Sequence, residues 1–161
     1  MPDRLASVGE DSPVRPDVVV LLAEHLADMY ATSPAESVHA LDPAALAGPG
    51  ITFVTARDAT GTLLGCGALT TLGPGHGELK SMRTAAGARG RGVATAVLEH
   101  LLALAAQRGC ARVSLETGTE DYFAAARRLY ARHGFVECPP FGAYVLDPHS
   151  VFLTREVRPP G

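Results

Sequence analysis

One segment, Arg89-Gly90-Arg91-Gly92-Val93-Ala94, constrains this chain more than any other. The residues before it read as a strand and those after it as a helix, so the chain passes between them through two closely spaced glycines. Glycine reaches positive φ without a Cβ penalty, which lets the backbone turn tightly and approach a ligand. The helix that follows presents unpaired N–H groups and the positive end of its dipole, a ready site for an anion. Arg83, Arg89 and Arg91 add charge nearby. A glycine pair alone would merely turn a corner. Strand, loop and helix in register, with arginines framing the glycines, favour the anion, and a diphosphate would satisfy all of these groups at once.

The elements on either side define a mixed α/β order. Val18, Leu21, Leu22, Leu26 and Met29 recur at helical spacing within Asp17 to Tyr30, with Pro16 at the start. A Pro/Ala/Ser-rich loop from Ser33 to Gly50 follows, with one helical turn around Pro43 to Leu46. Ile51 to Ala56 and Leu63 to Leu72 flank the turn Asp58 to Gly61 and read as a hairpin. Glu78 to Thr84 is a further strand. Its apolar residues Leu79 and Met82 stand three apart where alternation demands two or four. Either the alternation is only approximate, the simpler reading of the segment alone, or a β-bulge inserts one residue. Gly92 to Arg108 is an amphipathic helix closed by Gly109, Ala111 to Leu115 a strand, and Asp121 to His133 a helix ended by Gly134. Phe135 to Cys138 and Ser150 to Val157 are the final strands, separated by Pro139-Pro140.

Length and charge narrow the function. A chain of 161 residues suits one domain with a single sizeable core. No apolar run approaches the length of a membrane span, and the residues after Met1-Pro2-Asp3-Arg4 lack the apolar core of a leader, so a cytoplasmic location is the default expectation. Cys66, Cys110 and Cys138 show no paired spacing, and the six histidines show no ligand spacing, so neither a disulfide framework nor a metal is expected. A net charge of −3 gathers no nucleic acid. An anionic ligand must therefore be held by a local device.

Arg89, Gly92 and Ala94 match the Arg/Gln-x-x-Gly-x-Gly/Ala motif of the GCN5-related N-acetyltransferases, the GNAT superfamily. Leu129-Tyr130-Ala131-Arg132-His133-Gly134-Phe135 is similar to that family's LYxxxGF signature, and the element order resembles the same fold. The resemblance covers about Ile51 to Val157, with residues 1–50 supplying the first helix and an acceptor-side loop of one domain spanning 1–161. It implies a mostly antiparallel sheet, splayed at its fourth and fifth strands and flanked by helices. It also implies acetyl-CoA as acyl donor, with no metal, and a small amine as the other partner. The turn Arg89, Gly90, Arg91, Gly92, Val93 and Ala94 would take the pyrophosphate. Met82, Arg83 and Thr84 on a bulged fourth strand would lie along the pantetheine arm, and the bulge becomes the preferred reading of that strand. Phe123 and Ala126 would border the cofactor, although many relatives carry Asn at the position of Phe123.

The same resemblance gives Tyr130 the role of protonating the departing thiolate. An amine titrating near ~10 must lose a proton before attack, and a carboxylate acting through water is the usual base. Glu116 and Glu78 are the candidates, though Glu78 has Lys80 on its own face as an ordinary ion-pair partner. Ser37 and His39 are candidate substrate contacts in a segment that otherwise reads as a surface loop. Cys138 reads as a buried small residue rather than an acyl carrier. Direct acetyl transfer to a primary amine in a ternary complex is the leading function. A non-catalytic acyl-CoA-binding regulatory module is the alternative, and a Rossmann-type nucleotide module fits poorly because the glycines come mid-chain. The exposed final strand would offer an edge for a homodimer.

Overall fold

The computed structural model describes residues 5–158. Met1–Arg4, read above as lacking a leader, lies outside the described residues. The elements run β1 (Leu5–Glu10), α1 (Pro16–Thr32), α2 (Pro43–Leu46), β2 (Ile51–Asp58), β3 (Leu63–Gly73), β4 (His76–Thr84), α3 (Val93–Gln107), β5 (Arg112–Gly118), α4 (Ala124–Arg132), β6 (Val136–Glu137) and β7 (Ser150–Glu156). One seven-stranded sheet takes the order β1-β2-β3-β4-β5-β7-β6. All neighbours are antiparallel except β4 and β5.

Helices cover both faces. On one, Val18, Leu21 and Leu22 of α1 and Leu46 of α2 bury against Phe53, Cys66 and Ala68. On the other, Val97, Leu98, Leu101 and Ala105 of α3 join Val54, Leu69, Val113 and Leu153. Gly65 and Gly67 set how closely α3 approaches. A Cβ at Gly65 would lie 2.7 Å from Val93, and one at Gly67 2.9 Å from Val97. Among the described residues, no helix is long and apolar enough to cross a membrane.

Two irregularities in the middle of the sheet open it. Cys66 stands opposite Arg83 but Ala68 opposite Lys80, so Gly67 spans both Ser81 and Met82. This is the bulge that the spacing of Leu79 and Met82 allowed, with Ser81 at φ 56°. The Cys66 thiol donates to the Ser81 carbonyl at 3.3 Å and ties the bulge to its neighbour. Pairing of β4 with β5 is confined to His76–Arg112, Gly77–Val113 and Glu78–Ser114. Beyond Glu78 the strands diverge while β5 stays paired with β7 as far as Gly118–Ser150.

Three expectations change. Leu5–Glu10, not read as a strand, pairs with β2 at the sheet edge; its sequence LASVGE lacks the β-branched density that marks the other strands. The start of the helix expected over Asp121–His133 is a 3-10 turn, Asp121–Phe123, before α4. The final strand is not an open edge, because β6 pairs with it at Leu153 and Thr154.

Candidate active site

The divergence of β4 and β5 opens a cleft of about 550 Å³, lined by the bulge, the turn before α3, β5, α4 and the loops beyond α1 and before β7. At its α3 end, Gly90 has φ 79° and Gly92 φ 77°. Gly92 is the N-cap of α3, and the first bond of the helix ladder runs from the Ala96 N–H to the Gly92 carbonyl at 3.0 Å. The N–H groups of Val93, Ala94 and Thr95 therefore stand ahead of the ladder, at the positive end of a 15-residue helix. Arg89, Gly90, Gly92, Val93 and Ala94 line the cleft. Arg91 does not; its guanidinium donates to the Gly87 carbonyl at 3.0 Å.

A phenol from α4 and a carboxyl from β5 both line the cleft. Tyr130 of α4 is only 5% exposed, and its ring packs edge-on against Phe135 with centroids 5.7 Å apart. Desolvation pushes its pKa above the ordinary phenol value, so it stays protonated at neutral pH. Glu116 of β5 accepts from the Ser150 hydroxyl at 2.8 Å. Burial pushes its pKa up to about 7, with the Glu78 and Asp147 charges adding to the rise and Ser150 and Lys80 opposing it. A carboxyl poised there exchanges a proton at neutral pH.

Glu78, the other carboxylate candidate, is buried and does not line the cleft. It accepts from the Tyr144 hydroxyl at 2.5 Å and pairs with Lys80 at 3.3 Å, while the Lys80 ammonium donates to the same hydroxyl at 2.9 Å. With both partners engaged, Glu78 holds Lys80 and Tyr144 at the cleft wall. Tyr144 also stacks edge-on with His39, centroids 5.0 Å apart. Ser37 is buried and donates to Asp147 at 2.6 Å, which joins the loop after α1 to the loop before β7. Ser33 donates to Glu120 at 3.1 Å, and Glu120 also pairs with His149 at 2.7 Å.

Arg83 of β4 pairs with Asp28 of α1 at 2.7 Å and donates to the Tyr122 hydroxyl at 2.7 Å. Its guanidinium thus spans from β4 to α1 and to the 3-10 turn rather than reaching the glycine turn alone. Phe123 packs so tightly on Gly118 that a Cβ there would lie 2.2 Å from the ring.

Comparisons with known proteins agree with this geometry. The acetyltransferase (GNAT) family model matches residues 19–135. The chain belongs to the GNAT family. It is 47% identical over 148 residues to the uncharacterised N-acetyltransferase YedL of Escherichia coli, covering 92% of each chain. It is 40% identical over 154 residues to the IAA acetyltransferase of Azospirillum brasilense, covering 92% of this chain and 96% of that one. Among solved structures it is similar to a Klebsiella pneumoniae protein described as an acyl-CoA N-acyltransferase, at 28% identity and a TM-score of 0.77, covering 94% and 97% of the two chains. This GNAT chain is an acetyl-CoA-dependent acyltransferase.

The GNAT cleft gathers most of the residues named from sequence. Met82, Arg83, Thr84, Phe123, Ala126, Tyr130 and Glu116 line it, as does most of the glycine turn. Glu78 and Arg91 stand outside the lining. Cys138 also stands outside it, and desolvation raises its thiol pKa, against a nucleophilic role. Ser37 and His39, read as an ordinary loop, are walls of the cleft. His25, Ser81, Tyr144 and His149 were not singled out at all. Tyr144 sits among residues with no periodic pattern, so only the folded loop brings it to Glu78.

Proposed function

We propose that this chain moves the acetyl group of acetyl-CoA onto the primary amine of a small molecule by direct attack within a ternary complex. The observation that carries the reading is Glu116 and Tyr130 facing one cleft, one a carboxyl near neutrality and the other a buried phenol. Acetyl-CoA, once bound, supplies an activated acetyl thioester. The glycine turn and the first N–H groups of α3 suit its pyrophosphate, and the unpaired edge of β4 from Leu79 to Thr84 suits its pantetheine arm. Glu116, directly or through a water, accepts the proton that the ammonium must lose. A backbone N–H at the bulge donates to the oxyanion that develops on the carbonyl. Tyr130 donates its proton to the departing sulfur. Neither Glu78 nor Cys138 is required.

The test separates binding from turnover. Calorimetry with acetyl-CoA is expected to give micromolar affinity or better. Thiol release with a panel of amines is expected to fall about 100-fold in kcat for Tyr130→Phe while acetyl-CoA affinity holds. Binding without thiol release from any amine would leave the regulatory-module alternative in place. Unchanged turnover in Tyr130→Phe would remove its general-acid role.

A further inference from the structure

The cleft contains buried polar atoms whose hydrogen bonds are not made within the protein. Three side-chain atoms among the described residues are buried without a partner: Nδ1 of His25, Oγ of Ser81 and Nε of Arg83. All three residues line the cleft, His25 from α1 and the other two from β4 at and just past the bulge. The Arg83 side chain is only 7% exposed, and it uses NH1 for Asp28 and Tyr122 while its Nε–H is left over. That group can only donate. The Ser81 hydroxyl is also able to donate. Burial, with the nearby charge of Arg83, lowers the His25 pKa to about 4, so the ring is neutral at physiological pH and carries one N–H. Native proteins leave few buried polar groups unpaired, and here all three belong to residues that line one cleft.

Among the described residues the lining holds the cations Lys80, Arg83, Arg89 and Arg132 and the carboxyl of Glu116, with Glu78 and Asp28 just outside it pairing Lys80 and Arg83. A compact, doubly accepting oxygen group would suit the Nε–H that these pairings leave over.

Building on the acetyltransferase reading, we infer that the acceptor is an amine that also carries a carboxylate. Its amine lies toward Glu116 and its carboxylate lies between α1 and the bulge, against Arg83 Nε, Ser81 Oγ and the His25 ring. Asp28 and Tyr122 hold the guanidinium in place. The carboxylate is not consumed; the amide bond forms at the amine as the thioester C–S bond breaks, the amine's proton goes to Glu116 and the departing thiolate takes the proton of Tyr130. Specificity arises because an acceptor lacking the carboxylate leaves the three polar atoms unpaired in the complex.

Matched pairs test this on the full chain with saturating acetyl-CoA: leucine against isopentylamine, phenylalanine against phenethylamine, with spermidine as a polycation. Each amino acid is expected to exceed its decarboxylated partner by at least about tenfold in kcat/KM, expressed in KM. Arg83→Gln is expected to bring the ratio to within about twofold of unity. Should that variant fail to fold, His25→Leu is read in the same way, and the ratio in the unaltered protein needs no variant. Equal or inverted ratios, or preference for spermidine, overturn the carboxylate and leave the acetyltransferase reading standing. So does an Arg83→Gln variant that raises KM for acetyl-CoA alone, because these donors would then serve the acyl donor. A protein that acetylates other amines but neither member of a pair overturns this inference by itself. One that binds acetyl-CoA and acetylates no amine removes both.

Discussion

The two ends of the cleft are built from different materials. At the end proposed for the donor, a few consecutive residues bend a main chain, and the groups offered are the N–H groups of Val93, Ala94 and Thr95. Their positions follow from φ angles at Gly90 and Gly92 and from the helix axis. At the acceptor end the groups are side chains from α1, the loop after it, β4, β5 and the loop before β7. Those chains are fixed by bonds between distant segments: Ser33 to Glu120, Ser37 to Asp147 and Tyr144 to Glu78. A site made of backbone holds one ligand whatever side chains surround it. A site made of linked side chains changes its preference with single substitutions.

The sharpest way to break this contrast is at the turn. Gly92→Val puts a β-branched residue at φ 77° and is expected to weaken acetyl-CoA binding about 100-fold or more by calorimetry. If affinity survived, the main-chain account of the donor end would fail.

Glu116→Gln acts at the junction of the two ends. It is expected to lower kcat about 10-fold or more and to remove the rise of rate with pH through about 7. The same variant has a stability signature of known sign. The folded pKa of Glu116 lies near 7, above its reference of 4.5, so folding favours the protonated form. The stability tied to that proton is whole below about pH 4.5 and is lost as the pH rises through about 7. Glu116→Gln is thus expected to increase stability at about pH 8 by on the order of 1–2 kcal/mol, raising the unfolding midpoint there, and to leave both unchanged at about pH 4. Thermal melts at the two pH values check this.

Tyr144→Phe gives the smallest effect. It removes one donor to Glu78 and one acceptor for Lys80, and is expected to cost about 1 kcal/mol of stability and raise acceptor KM a few-fold. Acetyl-CoA affinity should hold. A change there would couple the two ends that the structure keeps apart.

The same division explains what was legible in the sequence. Glycines that must take positive φ, a helix stripe and the LYxxxGF run are local signals, and they located the turn, α3 and Tyr130. The break in alternation between Leu79 and Met82 marked the bulge, although the segment alone left a plain strand as the simpler reading. What lay hidden depended on partners far away in the chain. Glu78 looked as suitable a base as Glu116 until Tyr144 was placed against it. Arg83 looked like unpartnered charge beside the glycine turn, and only the fold shows that Asp28 and Tyr122 hold it. β1 was hidden because an edge strand is specified by the neighbour it pairs with, and LASVGE carries little preference of its own.

The short pairing of β4 with β5 has a mechanical consequence. The sheet is two smaller sheets, β1–β4 and β5–β7, sewn together by three rungs at Glu78 and before. Anything threaded through the gap beyond those rungs acts as a missing strand and continues the seam. Loading and release of the donor would then close and open the middle of the molecule, so backbone amides from Leu79 to Thr84 should exchange with solvent at a rate that reports occupancy. The reagent consumed in each cycle would double as part of the frame.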